Sequence, residues 1–224
     1  MSPAARHVIA VCGLHFEAAI ARGPGVQTFC ATGSAVALLP ELARAAAGGV
    51  GIISFGCAAG LDPALAPGDC LLADQVLWPG GSLVPDKRWL RALRERLPAA
   101  HGGVLACVDD PVTSREDKSR LWSASGARAA DMESHHVARI AARHGLPFVA
   151  LRVVVDPATR NLPPCAIAAM KEDGGIAAGP FLRSLAAHPG QAGAVFTLAT
   201  DARAARRGLL RARALAGALF AYLP

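Results

Sequence analysis

Along most of the chain, short unbroken apolar blocks alternate with stretches in which apolar residues recur at helical spacing. Apolar blocks of that length are strands buried on both faces. Their alternation with amphipathic helices predicts an α/β fold with strands sandwiched between helices. The blocks at residues 7–11, 27–31, 50–55, 70–76, 102–108 and 148–155 are the predicted strands. Residues 35–47 and 87–97 are predicted helices, the second with Trp89, Leu90, Leu93 and Leu97 turned inward. Residues 114–122 form a short polar helix. A further helix carries Asp131 and Glu133 in its first turn, where negative charge suits the helix dipole, and ends at Gly145. Residues 158–179 read as a surface loop with a short helix, a natural entrance to a site. Residues 181–187, 189–199 and 201–223 are helical. The last places Arg203, Arg206, Arg207, Arg211 and Arg213 on one side and Leu209, Leu219, Phe220 and Leu223 on the other.

The elements predict where chemistry belongs. In open α/β sheets, ligands sit beyond the carboxyl ends of the strands. Asp156, at the end of the 148–155 block, is therefore the first candidate acid. Gly13 follows the first strand and Glu17 lies at the start of the next helix, either as a favourable charge near a helix N-terminus or as a site acid or base. Thr32-Gly33-Ser34 opens a helix and offers an anion site or a plain N-cap. Residues 56–63, GCAAGLDP, are small enough for backbone to approach a ligand, but the spacing is not GxGxxG and argues against a dinucleotide fold. Asp109, before Asp110-Pro111, suits a turn.

Composition narrows the classes. At 224 residues the chain is expected to form one domain, residues 1–224. Its hydrophobic content of 53% comes without an apolar run long enough to span a bilayer, and the first residues lack a signal-peptide layout, so a cytoplasmic protein is expected. The six cysteines are scattered with no CxxC pair, which predicts reduced, mostly buried thiols. The net charge of +6 owes much to arginines near the C-terminus. With no nucleic-acid module and little aromatic interleaving, a solvated basic face or contact with an anionic membrane surface or phosphate fits better than nucleic acid. No metal is expected: Asp131 and His135 share a helix face, but no HExxH pattern exists. The GxSxG elbow of a serine hydrolase is missing.

Residues 56–69, GCAAGLDPALAPGD, resemble the glycine-rich GSAGGL…GD segment of the purine nucleoside phosphorylase and methylthioadenosine/S-adenosylhomocysteine nucleosidase superfamily. Asp131-Met132-Glu133-Ser134, followed by 146–152, LPFVALR, and Asp156, resembles that superfamily's (V/D)MEx…VPFxxxRxxxD signature. Within it, residues 130–165 look most like the hopanoid-associated phosphorylases, which are linked to removal of adenine from adenosylhopane. The resemblance implies a single-domain, three-layer α/β/α fold around a central mixed sheet, and an enzyme that cleaves the N-glycosidic bond of a 5′-substituted adenosine. A methylthioadenosine/S-adenosylhomocysteine nucleosidase or a purine nucleoside phosphorylase is the near alternative. A non-catalytic nucleoside-binding protein is the alternative of another class; Asp156 and Glu133 together speak against it, because binding alone needs no proton donor.

The resemblance also implies roles. Asp156 matches the acid that serves purine N7, and Glu133 the carboxylate that accepts both ribose hydroxyls. Met132 matches the residue that packs on the sugar. Gly33 and Ser34 fall on the ribose or phosphate side, and Cys57, Ala58 and Gly60 in the glycine-rich segment, with Cys57 in place of a common Ser. Val112 and Thr113 fall where an adenine-stacking aromatic is often found, so that Phe16, Phe148 or Trp78 would have to stack instead. Glu17 lies within one position of the nucleosidase acid that activates water. Arg22 and Arg152 are the candidates for phosphate. No cofactor is implied; phosphate or water is the nucleophile. A homo-oligomer is expected, with peripheral contact at the inner membrane surface as an added possibility for a lipid-linked substrate.

Overall fold

The computed structural model describes residues 7–31, 35–169, 178–187 and 189–223. Eight strands form one mixed sheet: β1 (His7–Cys12), β2 (Val26–Cys30), β3 (Gly49–Gly60), β4 (Cys70–Trp78), β5 (Gly81–Leu83), β6 (His101–Cys107), β7 (Ala129–Asp131) and β8 (Phe148–Asp156). The helices are α1 (His15–Ala21), α2 (Ala35–Ala46), α3 (Lys87–Arg96), α4 (Arg115–Ser125), α5 (Ser134–Arg143), α6 (Pro164–Ala169), α7 (Ala178–Ala187) and α8 (Ala192–Ala216). The three-layer arrangement expected from the apolar blocks is what forms. One sheet face packs on α1, α3 and α8 through Ala18, Trp89, Leu93 and Leu209. The other packs on α2 and α5 through Leu42, Val137, Ile140 and Ala141.

Strand β8 occupies the middle. It runs parallel to β3 and antiparallel to β4, and residues Phe148 to Val154 are fully or almost fully buried. β4 continues through β6 to β7, and β7 returns to pair with the end of β3, Ala59 with Ala130 and Gly60 with Ala129. The pairings β3–β8–β4–β6–β7–β3 therefore close a ring, and the ends of β3, β7 and β8 meet.

Several sequence expectations are corrected. The strand predicted over 50–55 runs on: small side chains let β3 continue to Gly60, paired first to β8 and then to β7. Asp131 and Glu133 do not share the first turn of a helix. Asp131 ends β7, held by β6 and β3, and Glu133 is the residue before α5, which starts at Ser134. Residues 192–216 form one helix rather than parts of two, since nothing near Thr200 breaks the backbone; Gly217, with φ 68°, ends it. A 3₁₀ turn at Ala218–Ala221 then carries Phe220 into the core. Leu223 is 74% exposed rather than packed. Arg213 leaves the basic face: its Nε donates to Ala21 O at 2.9 Å, and its guanidinium lies over the Phe220 ring.

Gly145 shows a purely local effect. It closes α5 with φ 63°, and a Cβ there would meet nothing within 4 Å. Gly145→Ala is therefore expected to cost about 1–2 kcal/mol through the left-handed backbone alone, read as a lower urea midpoint with an unchanged m-value.

Candidate active site

The strand ends enclose a cavity of about 260 Å³. Its polar side is made by Gly13, Glu17, Cys57, Asp131, Glu133, Arg152 and Asp156; Val108, Pro111, Val112, Leu162 and Leu198 form its apolar wall. The polar groups come from four chain segments, the β1–α1 junction, β3, the β7–α5 junction and β8, which the end of the ring brings together.

Arg152 stands at the centre. It sits in mid-β8 between Leu151 and Val153, and its side chain is only 1% exposed. A buried guanidinium must be paired. Nη2 lies 2.6 Å from Asp131 Oδ2 and 3.4 Å from Glu133 Oε2, and donates to Ser54 Oγ at 2.6 Å and to Ser134 Oγ at 3.1 Å. Ser134 Oγ also donates to Asp131 Oδ2, and Cys107 Sγ meets Asp131 Oδ1 at 3.0 Å. Burial alone would lower the Arg152 pKa, but Asp131, Glu133 and Glu17 more than offset it, and the guanidinium is held charged.

Glu17 joins the two readings of its position. Its Oε2 accepts from the Gly13 and Leu14 N–H groups at 3.0 Å each, which caps the start of α1, and its Oε1 accepts from Cys57 N–H at 2.7 Å. It is 2% exposed yet lines the cavity. Burial raises its pKa, against the lowering by Arg152 and these backbone donors. Glu133 is the more accessible acid, with a side chain 21% exposed. Burial first, and then the charges of Asp131 and Glu17, lift its pKa to about 7, although Arg152 opposes them. The Cys57 thiol is pushed well up by burial and by Glu17, so it stands there as a neutral thiol.

Two glycines are needed for this closeness. A Cβ at Gly13 would lie 2.9 Å from Glu133 Oε1, and one at Gly56 would lie 2.5 Å from Glu17 Oε2 and 2.7 Å from Arg152 Nη1. The acceptors are pinned by their own hydrogen bonds, so the methyl must displace a network. Gly56→Ala is expected to cost about 1–3 kcal/mol of stability, measured by urea unfolding, and to lower turnover with it.

Asp156 closes the far side. Burial raises its pKa, Lys118 lowers it, and the balance is about 6. Lys118 projects from α4 with a fully buried side chain, and its Nζ lies 2.5 Å from Asp156 Oδ2. The pair is close but off hydrogen-bond angle, so Oδ2 accepts no hydrogen bond.

Of the residues singled out in the sequence, Glu17, Cys57, Val112, Met132, Glu133 and Asp156 line the cavity. Ala58, Gly60 and Thr113 do not. Because residues 56–60 are a strand, successive side chains alternate: Cys57 and Ala59 face the cavity, while Ala58 packs into the core against α5. Gly60 lies against Val154 and Pro157, and Thr113 uses its carbonyl to accept from Leu162 N–H. Gly33 and Ser34 lie outside the described residues. None of the proposed stacking aromatics reaches the cavity. Phe16 is exposed, Phe148 is buried in the core, and Trp78 stacks on His135. Arg22 is exposed at the end of α1, away from the cavity. Lys118 escaped the sequence reading altogether, as did the apolar wall at Leu162 and Leu198.

The fold and the convergence of strand ends are those of the nucleoside phosphorylases and nucleosidases. The model of the phosphorylase superfamily matches residues 2–177, and the chain belongs to that superfamily. Among solved structures, the methylthioadenosine/S-adenosylhomocysteine nucleosidase of Helicobacter pylori superposes with a TM-score of 0.64 at 17% identity, covering 92% of this chain and 96% of that one. The corresponding nucleosidase of Streptococcus pneumoniae gives 0.63 at 16% identity, covering 94% and 99%. Futalosine hydrolase of Helicobacter pylori gives 0.59 at 18% identity, covering 67% and 88%. Comparison with curated protein sequences gave no match.

Proposed function

We propose that the protein releases adenine from a 5′-substituted adenosine by cleaving its N-glycosidic bond, with adenosylhopane the substrate implied by the resemblance of residues 130–165. The observation that carries this reading is the pairing of Asp156 and Glu133 across one small cavity. Breaking C1′–N9 sends the bonding electrons into the purine, and a proton at N7 lets the base leave neutral. Asp156 gives that proton and becomes a carboxylate. Glu133 accepts the ribose hydroxyls, and its charge supports the cationic sugar that develops. Glu17 takes the proton of the attacking water, so that water adds hydroxide to C1′ and Asp156 supplies the proton that adenine carries away. Both acids then reset by exchange with solvent.

Water suits the electrostatics better than phosphate does. Glu17, Asp131 and Glu133 line the cavity, and Arg152, the one cation among the described residues that lines it, is already engaged by Asp131 and Glu133. An incoming phosphate dianion would meet an excess of negative charge. The related nucleosidases are named for methylthioadenosine and S-adenosylhomocysteine, and both of those substrates share the nucleoside core that this cavity suits. At about 260 Å³ the cavity is smaller than most drug-sized ligand pockets. It takes the nucleoside and leaves a long 5′ chain to run outward past Met132, Leu162 and Leu198. Adenine release from adenosylhopane and from methylthioadenosine, each with and without phosphate, tests the reading. Release from both without phosphate is expected; no adenine in any of the four conditions would overturn it.

The two acids must act in opposite states, Asp156 protonated and Glu133 ionised. Their raised values, about 6 and about 7, set the pH window. As pH falls below that window Glu133 is protonated and the ribose clamp weakens. As pH rises above it Asp156 loses the proton it must donate. We expect kcat/KM to peak between pH 6 and pH 7 and to fall on both sides.

We also propose peripheral contact of α8 with an anionic membrane. Arg203, Arg206, Arg207 and Arg211 are exposed together with Phe196, Leu210 and Leu215, a pattern suited to an interfacial helix. No helix among the described residues is long and apolar enough to cross a membrane. Truncating the chain from Arg203 would remove buried Leu209 and Phe220, so the test keeps the helix. Changing the four arginines to glutamate is expected to abolish sedimentation with phosphatidylglycerol vesicles; undiminished sedimentation would sink the proposal.

A further inference from the structure

Lys118 is a buried cation that the chemistry above does not use. Its side chain is 0% exposed, in a helix whose other charged residues face solvent. Burying an ammonium is costly unless its donors are met. Nζ donates to Pro157 O at 3.0 Å and to Arg160 O at 2.9 Å, and faces Asp156 Oδ2 at 2.5 Å. The two carbonyls take two of the three donors of the ammonium, and the carboxylate meets its charge as an ion pair. These contacts also tie α4 to the turn that follows β8, so one side chain fixes the position of the acid and the backbone next to it.

We propose that Lys118 is the positioning residue of this site, holding Asp156 in place and stabilising the carboxylate left when its proton passes to the purine. The proposal rests on the adenine-release reading for its catalytic meaning, and on the Lys118–Asp156 contact for its physical content. When the Asp156 O–H proton moves to N7 and the C1′–N9 pair moves to the base, negative charge appears on a buried carboxylate. Lys118 meets that charge without any rearrangement. The same contact opposes the burial that raises the Asp156 pKa, and so favours release of its proton. The other charged or titratable groups facing Asp156 are Asp201 on α8, itself paired to Arg160 of the turn at 3.0 Å, and the neutral Cys57 thiol on β3. Lys118 is the one cation in direct contact with the carboxylate among the described residues.

The chain has three lysines, Lys87, Lys118 and Lys171. Lysine labelled at Nζ with ¹⁵N therefore gives a spectrum simple enough to follow in the wild-type protein. The Lys118 signal is expected to shift as Asp156 titrates near pH 6, and that shift is expected to vanish in Asp156→Asn. In Lys118→Met the Asp156 carboxyl, followed by ¹³C, is expected to titrate at least one pH unit higher. The ratio of adenine released at pH 8 to that at pH 6 then rises several-fold, while Lys118→Arg keeps the wild-type ratio. A Lys118 signal indifferent to pH between 5 and 8 would overturn the proposal. So would a Lys118→Met variant that loses turnover without changing the pH ratio, since that is what a merely structural anchor does. If the wild type releases no adenine from any nucleoside, the functional reading fails, but the two spectroscopic titrations still decide the role of Lys118.

Discussion

Asp156→Asn is expected to lower adenine release by about a hundred- to ten-thousand-fold near pH 6.5, the range usual for loss of a general acid. Asparagine keeps the shape of the side chain and can donate a hydrogen bond, but it cannot give up a proton to N7. Lys118 retains the Pro157 and Arg160 carbonyls in the variant, so the turn after β8 should stay in place. The fall should therefore lie in kcat, with KM for methylthioadenosine changed little, and the alkaline limb of the pH profile should disappear. A variant with turnover close to wild type would show that another group protonates the base. Single-turnover measurements separate loss of the chemical step from slow product release.

The second large effect concerns the buried network. Arg152→Met is expected to cost about 3–5 kcal/mol of folding stability, because it strands Asp131 in an apolar interior beside Glu133 and Glu17. Asp131→Asn alone leaves Arg152 with Glu133 and the two serine hydroxyls, and should cost less. The double variant should be far less unstable than the sum of the two, since neither charge is then left without the other. Urea unfolding of the four proteins at one pH measures the coupling. Costs that simply add would mean that Asp131 and Arg152 do not act as a pair. Adenine release should be lost in every variant lacking Arg152, because Glu133 loses the cation that opposes its protonation and fixes its carboxylate.

The long strands were legible because burial on both faces leaves an unbroken apolar run, and the helices because their apolar residues recur at helical spacing. Gly145 and the inward set on α3 could be read in the same way. The short strand β7 could not. Its three residues, Ala129–Asp131, have no pattern of their own and become a strand only because β3 and β6 offer pairing edges. That hidden strand is why Asp131 looked like a helix-start acid and is instead the buried partner of Arg152. Ala58 was off by one position for a related reason: which residues face a cavity depends on strand alternation, and nothing local in GCAAG marks it as the continuation of β3. Glu17 was legible as either a helix-cap acid or a site acid, and the structure joins the two. Lys118 was invisible because α4 is polar on nearly every position, and no local pattern marks one lysine among its charged residues as buried. Val112 lines the cavity where the resemblance implies a stacking aromatic, and no described aromatic lines it.

The closed ring of strands also has a consequence for how the molecule forms. β3 and β4 cannot be joined until β8 is inserted between them, and about 90 residues of chain separate β3 from β8. Contacts of that sequence separation form slowly, because a long loop must close before they repay its entropy. On a ribosome the first half of the sheet would wait, with open edges on β3 and β4, until residue 156 has emerged. The strand that ends this exposed interval also carries Arg152 and Asp156, so the barrier to folding and the assembly of the site fall on the same nine residues.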